Sequence, residues 1–130
     1  WTPRTMPGLR MSRMPPVTSA STGEKRMAYV DPCDVSPHYY KKLFENEKLR
    51  VVEMTLPPGH KDTQHSHPDE TVYFISGGKA RIYVGDDAME VDIPDGHVMH
   101  HESWTHTVEN IGDTTINAVI FEPHMDTSHL

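Results

Sequence analysis

Residues 70–93 read ETVYFISGGKARIYVGDDAMEVDI. Three segments follow one another there, each closed by turn residues. Glu70 to Ser76 is β-branched and aromatic and stops at Gly77-Gly78. Lys79 to Val84 sets Ala80, Ile82 and Val84 on one face. Gly85-Asp86-Asp87 makes a tight hairpin turn, and Met89, Val91 and Ile93 alternate on the way back. A period of two with turns of this kind predicts antiparallel strands that bury one face.

The same pattern extends in both directions. Upstream, Tyr40–Glu45 (YKKLFE) and Leu49–Leu56 (LRVVEMTL) flank the polar Asn46-Glu47 turn, and Pro57-Pro58-Gly59 ends the second. Downstream of Pro94-Asp95-Gly96 come His97–His101, Thr105–Asn110 and Thr115–Glu122, the last two divided by Ile111-Gly112-Asp113. Residues 36–44 (SPHYYKKLF) have room for a single helical turn, and nothing longer has a helical period. The predicted class is all-β. A small β-barrel, or a double-stranded jelly roll, is the economical way to keep so many short strands from exposing edges.

The chain has 130 residues, 35% of them hydrophobic, with a formal charge of −7. That is one domain with a lean core. The charge is unevenly placed. Residues 1–26 carry Arg4, Arg10, Arg13, Lys25 and Arg26 against Glu24 alone, so the rest is more acidic than the total. The predicted organisation is a flexible basic extension over 1–26, one barrel domain over 27–124, and a short tail over 125–130. The extension has no apolar periodicity with which to hold itself folded. An acidic barrel repels phosphate backbones, so no nucleic-acid partner is expected. No apolar run reaches the ~18–20 residues of a membrane span, so no membrane partner is expected either. Cys33 is the single cysteine, which excludes an intrachain disulfide and fits a reducing, cytoplasmic setting. An organellar one is the alternative if residues 1–26 are a transit peptide.

Histidine is the unusual entry in the composition. Of ten, His60, His65, His67, His97, His100, His101 and His106 crowd one stretch. His65 and His67 are two apart, which on an extended strand points both imidazoles to one face. His106 begins a later strand that a closed barrel can bring to the same interior point. Neutral imidazoles with open positions beside them suit one divalent transition metal: Fe, Mn, Ni, Cu or Zn. Gln64 adjoins the pair and is a possible further ligand. Of His100 and His101, alternation sends one inward, where it could serve as a base, a ligand or a support for one. Tyr73 shares the parity of His65 and His67 and is expected to face the interior as a substrate contact or core residue. His60, His97, His124 and His129 sit beside turns or in the tail and need no functional role.

These residues resemble the motifs of the cupin family. Gly59, His65 and His67 fit a pattern of glycine, five residues and His-x-His, and Gly78 fits the glycine that closes it. His106 and Asn110 fit the final His-x-x-x-Asn of a second motif, and Pro94-Asp95-Gly96 resembles the turn before it. The resemblance implies a small β-barrel with a metal at its centre, held by His65, His67 and His106. It puts the family's ligating glutamate at Thr71. Glu70 stands one position early, so strand alternation turns it away from the two histidines, and its ligation would need a bulge. A three-His set resembles that of cupin dioxygenases. The implied function is a metal-dependent enzyme, dioxygenase or lyase/isomerase, acting on a small chelating organic substrate. The alternative is a non-catalytic small-molecule-binding or sensory module. A homodimer is expected, with Tyr29–Pro37 as a possible edge strand for a neighbour.

Overall fold

The computed structural model describes residues 29–130, and the basic extension predicted over 1–26 lies outside them. Among the described residues, nine strands follow one short helix. The helix α1 (Pro32–Val35) stands where an edge strand was expected. The reason is local: the Asp31 carboxylate caps it by accepting from Cys33 N–H at 2.9 Å, and Pro32 occupies the first turn, where a missing N–H costs nothing.

The strands are β1 (Tyr40–Glu45), β2 (Leu49–Leu56), β3 (His65–His67), β4 (Glu70–Ser76), β5 (Gly78–Val84), β6 (Asp87–Ile93), β7 (Val98–His101), β8 (Trp104–Asn110) and β9 (Ile116–Pro123). They form two antiparallel sheets, ordered β1-β2-β9-β4-β7 and β3-β8-β5-β6. This is a double-stranded jelly roll. The hairpin that decided the reading is present, with β5 and β6 paired from Gly78↔Ile93 to Val84↔Asp87 and Gly85 turning at φ +59°. That left-handed turn conformation favours glycine.

The inner faces supply the core. Val52, Met54 and Leu56 on β2 pack with Val72 and Phe74 on β4, Ala80 and Ile82 on β5, and Ile116, Ala118 and Ile120 on β9. The alternation reaches polar residues at one end of three strands. Glu70 heads β4, Trp104 and His106 head β8, and Glu122 closes β9, all on the buried face. The fold therefore delivers a polar cluster to one end of an apolar interior. On the outer face of the larger sheet, Tyr73, Ile75, Val98 and Phe121 are exposed. Among the described residues no helix is long and apolar enough to cross a membrane.

β3 is buried along its whole length, unlike a typical half-buried strand. Its outward residue, Ser66, is covered by the segment before α1: Ser66 N–H donates to Val30 O at 2.7 Å, and Val30 N–H donates to Ser66 Oγ at 3.2 Å. Both metal-pattern histidines are thereby sealed from water from outside as well as inside.

The β4–β5 corner leaves no room for a side chain. A Cβ on Gly77 would lie 1.9 Å from the Ile93 carbonyl oxygen. Because that neighbour is backbone, Gly77→Ala is expected to force the corner apart and cost roughly 1–3 kcal/mol or more. Gly96→Ala, with nothing within 4 Å of its Cβ but φ +79°, should cost only about 1 kcal/mol. Urea unfolding of the two variants measures the difference; equal losses would show that the corner yields.

Candidate metal centre

His65 and His106 are direct cross-strand partners, and His67 lies opposite Trp104. Cross-strand side chains on one face lie close enough to touch. The ring centroids of His65 and His67 are 4.8 Å apart, those of His65 and His106 4.8 Å, and those of His67 and His106 5.2 Å. One nitrogen of each lies within 4.8 Å of the others, and all three residues are buried.

Hydrogen bonds decide which nitrogen each ring offers. His65 Nδ1–H donates to the Thr63 carbonyl at 2.7 Å, which leaves Nε2 as a bare lone pair. His67 Nδ1 donates to Glu122 Oε2 at 2.6 Å. A carboxylate on the far nitrogen fixes the tautomer and makes the near nitrogen more basic, as it does for metal-ligating histidines generally. Glu122 is itself held by Arg50 Nε at 3.0 Å, and Arg50 makes a two-pronged bond to Asp31 at 2.8 and 3.0 Å. Neither nitrogen of His106 has a partner, though the ring is buried. Buried polar atoms are rarely left so, because each forgoes a hydrogen bond it had in water. An ion bound through one nitrogen of His106, together with the two lone pairs beside it, would satisfy that nitrogen; the other nitrogen of the ring stays without a partner in the protein.

The charges follow the same geometry. Burial pushes the His65 pKa down to about 3, helped by the neighbouring His67. Burial, then His65 and His67, holds His106 well below the usual range. Burial alone would lower His67 too, but the carboxylates of Glu70 and Glu122 outweigh it and raise it. Burial raises Glu70, against the pull of His67 and of the Trp104 N–H.

Glu70 is the clearest correction to the sequence reading. It does not turn away: it is buried, its Oε2 accepts from Trp104 Nε1 at 2.6 Å, and its Oε1 lies 3.5 Å from His67 Nδ1. No bulge is involved. β3 belongs to one sheet and β4 to the other, so the chain changes sheets at Pro68-Asp69 and the alternation does not carry across. Glu70 groups with His67 and Glu122 rather than with the three imidazoles. The same restart of parity puts Tyr73 outside, 44% exposed, so it is not an interior contact. Gln64 is exposed and does not enter the cluster.

His100 and His101 divide as alternation requires. His100 pairs with Thr71 on the outward side and bonds its Oγ1 at 3.0 Å. His101 lies opposite Glu70 and stacks on Trp104 with centroids 3.5 Å apart. The Trp104 ring centroid in turn lies 4.1 Å from that of His106, so the indole His101 stacks on also packs against the cluster. Asn110 is structural: its Nδ2 donates to the carbonyls of Leu56 and Thr114, and its Oδ1 accepts from Gly112 N–H.

Four residues at the site carry no motif. Tyr40 donates to Asp62 Oδ2 at 2.6 Å and lies 3.4 Å from His65 Nε2. Asp62 also accepts from Val108 N–H at 2.8 Å, and burial raises its pKa to about 6 against both bonds. Glu122 and Arg50 are the others. The only sequence signal for Glu122 was a charge on the inward parity of β9.

A cavity of about 50 Å³ opens from the cluster into the core. His67, Glu70, Trp104, His106 and Tyr40 line its polar end, and Val72, Phe74, Met99 and Ile120 are among its apolar walls. A larger hollow of about 200 Å³ lies outside the barrel beside Arg50 and His124, and includes none of the three imidazoles.

A jelly roll with a histidine cluster in its interior defines a class of small β-barrel proteins with candidate metal sites. The cupin-domain family model matches residues 52–122, and the chain belongs to the cupin family. A cupin domain from Bordetella pertussis superposes with a TM-score of 0.62 at 22% identity, over 76% of this chain and 99% of that one. A cupin-family protein from Methanocaldococcus jannaschii gives 0.55 at 15% identity, over 65% and 77%. A structure described as a predicted oxalate decarboxylase from Thermotoga maritima gives 0.50 at 20% identity, over 66% and 79%. At these identities the likeness is one of fold. No curated protein sequence matches.

Acid should probe the cluster directly. In metal-free protein the folded-state pKa values of His65 and His106 lie below the unfolded value of ~6.5. The unfolded chain therefore binds protons that the native state excludes, so their contribution is full above pH ~6.5 and is lost as pH falls below it. His106→Gln, which cannot take up a proton, should lose less melting temperature between pH 6.5 and pH 4 than the wild type. The opposing contributions of Asp62 and His67 are common to both proteins. Parallel melting curves would contradict the burial argument.

Proposed function

We propose that this cupin is a metal-dependent enzyme that acts on a small, chelating organic substrate. The supporting observation is the convergence of His65 Nε2, a buried lone pair, with two other imidazoles, one of which has no partner at either nitrogen. His65, His67 and His106 would hold one divalent transition metal. That ion would supply Lewis acidity, or a place for dioxygen beside the substrate, which are the chemistries of the lyase/isomerase and dioxygenase classes.

The chain's own residues have separable tasks. Glu122 and the Thr63 carbonyl orient two of the imidazoles. Glu70, fixed by Trp104, presents a carboxyl to the polar end of the cavity, where it can hold a proton or repel a competing anion. The apolar walls exclude water from the rest. A cavity of about 50 Å³ favours a substrate of few atoms, well below the hundreds of cubic ångströms of drug-sized pockets. That small volume also favours a second reading, a non-catalytic module that senses a metal or a very small ligand. His101, one indole removed from the cluster, is a support to Trp104 under either reading.

Elemental analysis of untagged protein tests the shared premise. One equivalent of Fe, Mn, Ni, Cu or Zn per chain is expected, and His106→Ala should abolish its tight retention. Glu122→Gln should weaken retention about 10- to 100-fold while leaving the fold, since it removes the charge behind His67 but not the shape. Unchanged metal content in both variants would remove the site from this cluster. Metal uptake without turnover of any small oxygen-rich acid or diketone would leave the sensory reading.

A further inference from the structure

Tyr40 comes from β1, outside the segment that the family model covers. Its hydroxyl is nonetheless 3.4 Å from the nitrogen of His65 that faces the cluster. With Asp62 ionised, the proton inventory there is closed. His65 Nδ1 must carry the proton it gives to the Thr63 carbonyl, so Nε2 has none. The phenol has a single proton, and the 2.6 Å bond to Asp62 Oδ2 takes it. Asp62 Oδ1 is committed to Val108 N–H, which keeps Oδ2 aimed at the phenol.

Two lone pairs, on Tyr40 Oη and His65 Nε2, therefore face each other across 3.4 Å with no proton between them. Tyr40 and His65 are both buried, so water does not screen that repulsion. A cation relieves it. The spacing also suits one: two donors bound tetrahedrally at ~2.0–2.1 Å from an ion lie about 3.4 Å apart.

Resting on the metal-binding reading above, we propose that Tyr40 Oη is a fourth protein donor to the ion held by His65, His67 and His106. Tyr40 makes the ligand set three nitrogens and one oxygen, the oxygen contributed by the N-terminal strand in place of the family's glutamate. The step is balanced within the site. The phenol O–H bond breaks, its proton passes along the existing hydrogen bond to Asp62 Oδ2, and the phenolate oxygen bonds the ion. No electron moves and no proton leaves. Asp62 is thus the proton acceptor that allows a buried tyrosine to ligate.

Ferric iron reports such a ligand directly, because a phenolate bound to it gives a broad visible absorption and tyrosine ring modes in the resonance Raman spectrum. Metal-free protein is loaded with ferrous iron under nitrogen, oxidised with air, and assayed for iron by elemental analysis. The expected wild-type result is one bound iron with the visible band and the ring modes. Tyr40→Phe should keep the iron and lose both signals, and Asp62→Asn, which cannot accept the proton, should weaken them. Bound iron without the band, or the same band in Tyr40→Phe, overturns Tyr40 as a ligand and leaves the three histidines standing. Protein that takes up no iron or other transition metal overturns both. The wild-type Raman spectrum decides the matter even if Tyr40→Phe does not fold.

Discussion

A carboxylate shut away from water ties the structure together. Glu122, buried at the end of β9, accepts the proton of His67 Nδ1 at 2.6 Å and the Arg50 guanidinium at 3.0 Å. Burying one charge in a lean core is costly unless it is paired and fully hydrogen-bonded. Here the pairing draws on four separate pieces of chain. Arg50 comes from β2, Asp31 from the cap of α1, His67 from β3, and Glu122 from β9. Removing Arg50 would leave the buried Glu122 carboxylate without its guanidinium partner, so the elements that build the site are also tied together through it.

The barrel explains why such a cluster can exist at all. The apolar residues on β2, β4, β5 and β9 fill one part of the interior. The polar part is confined to one end, where every group but His106 has a hydrogen-bond partner inside the protein. That exception supports reading the cluster as a candidate metal site. Leaving a buried imidazole nitrogen unpaired costs on the order of 1–3 kcal/mol; His106 bears that cost at both nitrogens inside the cluster, whereas the other such nitrogen among the described residues, His97 Nε2, is not part of it.

Much of the fold was legible in the sequence, because antiparallel strands advertise themselves by alternation and by their turns. Strands β4, β5 and β6, the β5–β6 hairpin with its Gly85 turn and the strand ending in Asn110 all stand where the residues put them. The pairing of His65 with His106 was legible only as a motif, since nothing local links positions so far apart. What failed was parity across Pro68-Asp69. The rule that successive residues alternate holds within a strand, and the chain left one sheet for the other there. Glu70 and Tyr73 were both misplaced by that one assumption. Tyr40, Asp62 and Arg50 left no readable signal, and Glu122 only a charge on the inward parity of its strand, because each acquires its role from a partner that is 19 to 72 residues away.

The central claim is that His65, His67 and His106 form one metal centre inside the barrel. Anomalous diffraction from crystals of the protein, collected on both sides of the absorption edge of any metal found by elemental analysis, would locate such an ion directly. The account expects a single peak bonded to a nitrogen of each of the three histidines, ~2.0–2.1 Å away for an ion such as zinc. A peak at surface histidines such as His38, His60 or His129, or no peak within the barrel, would contradict it.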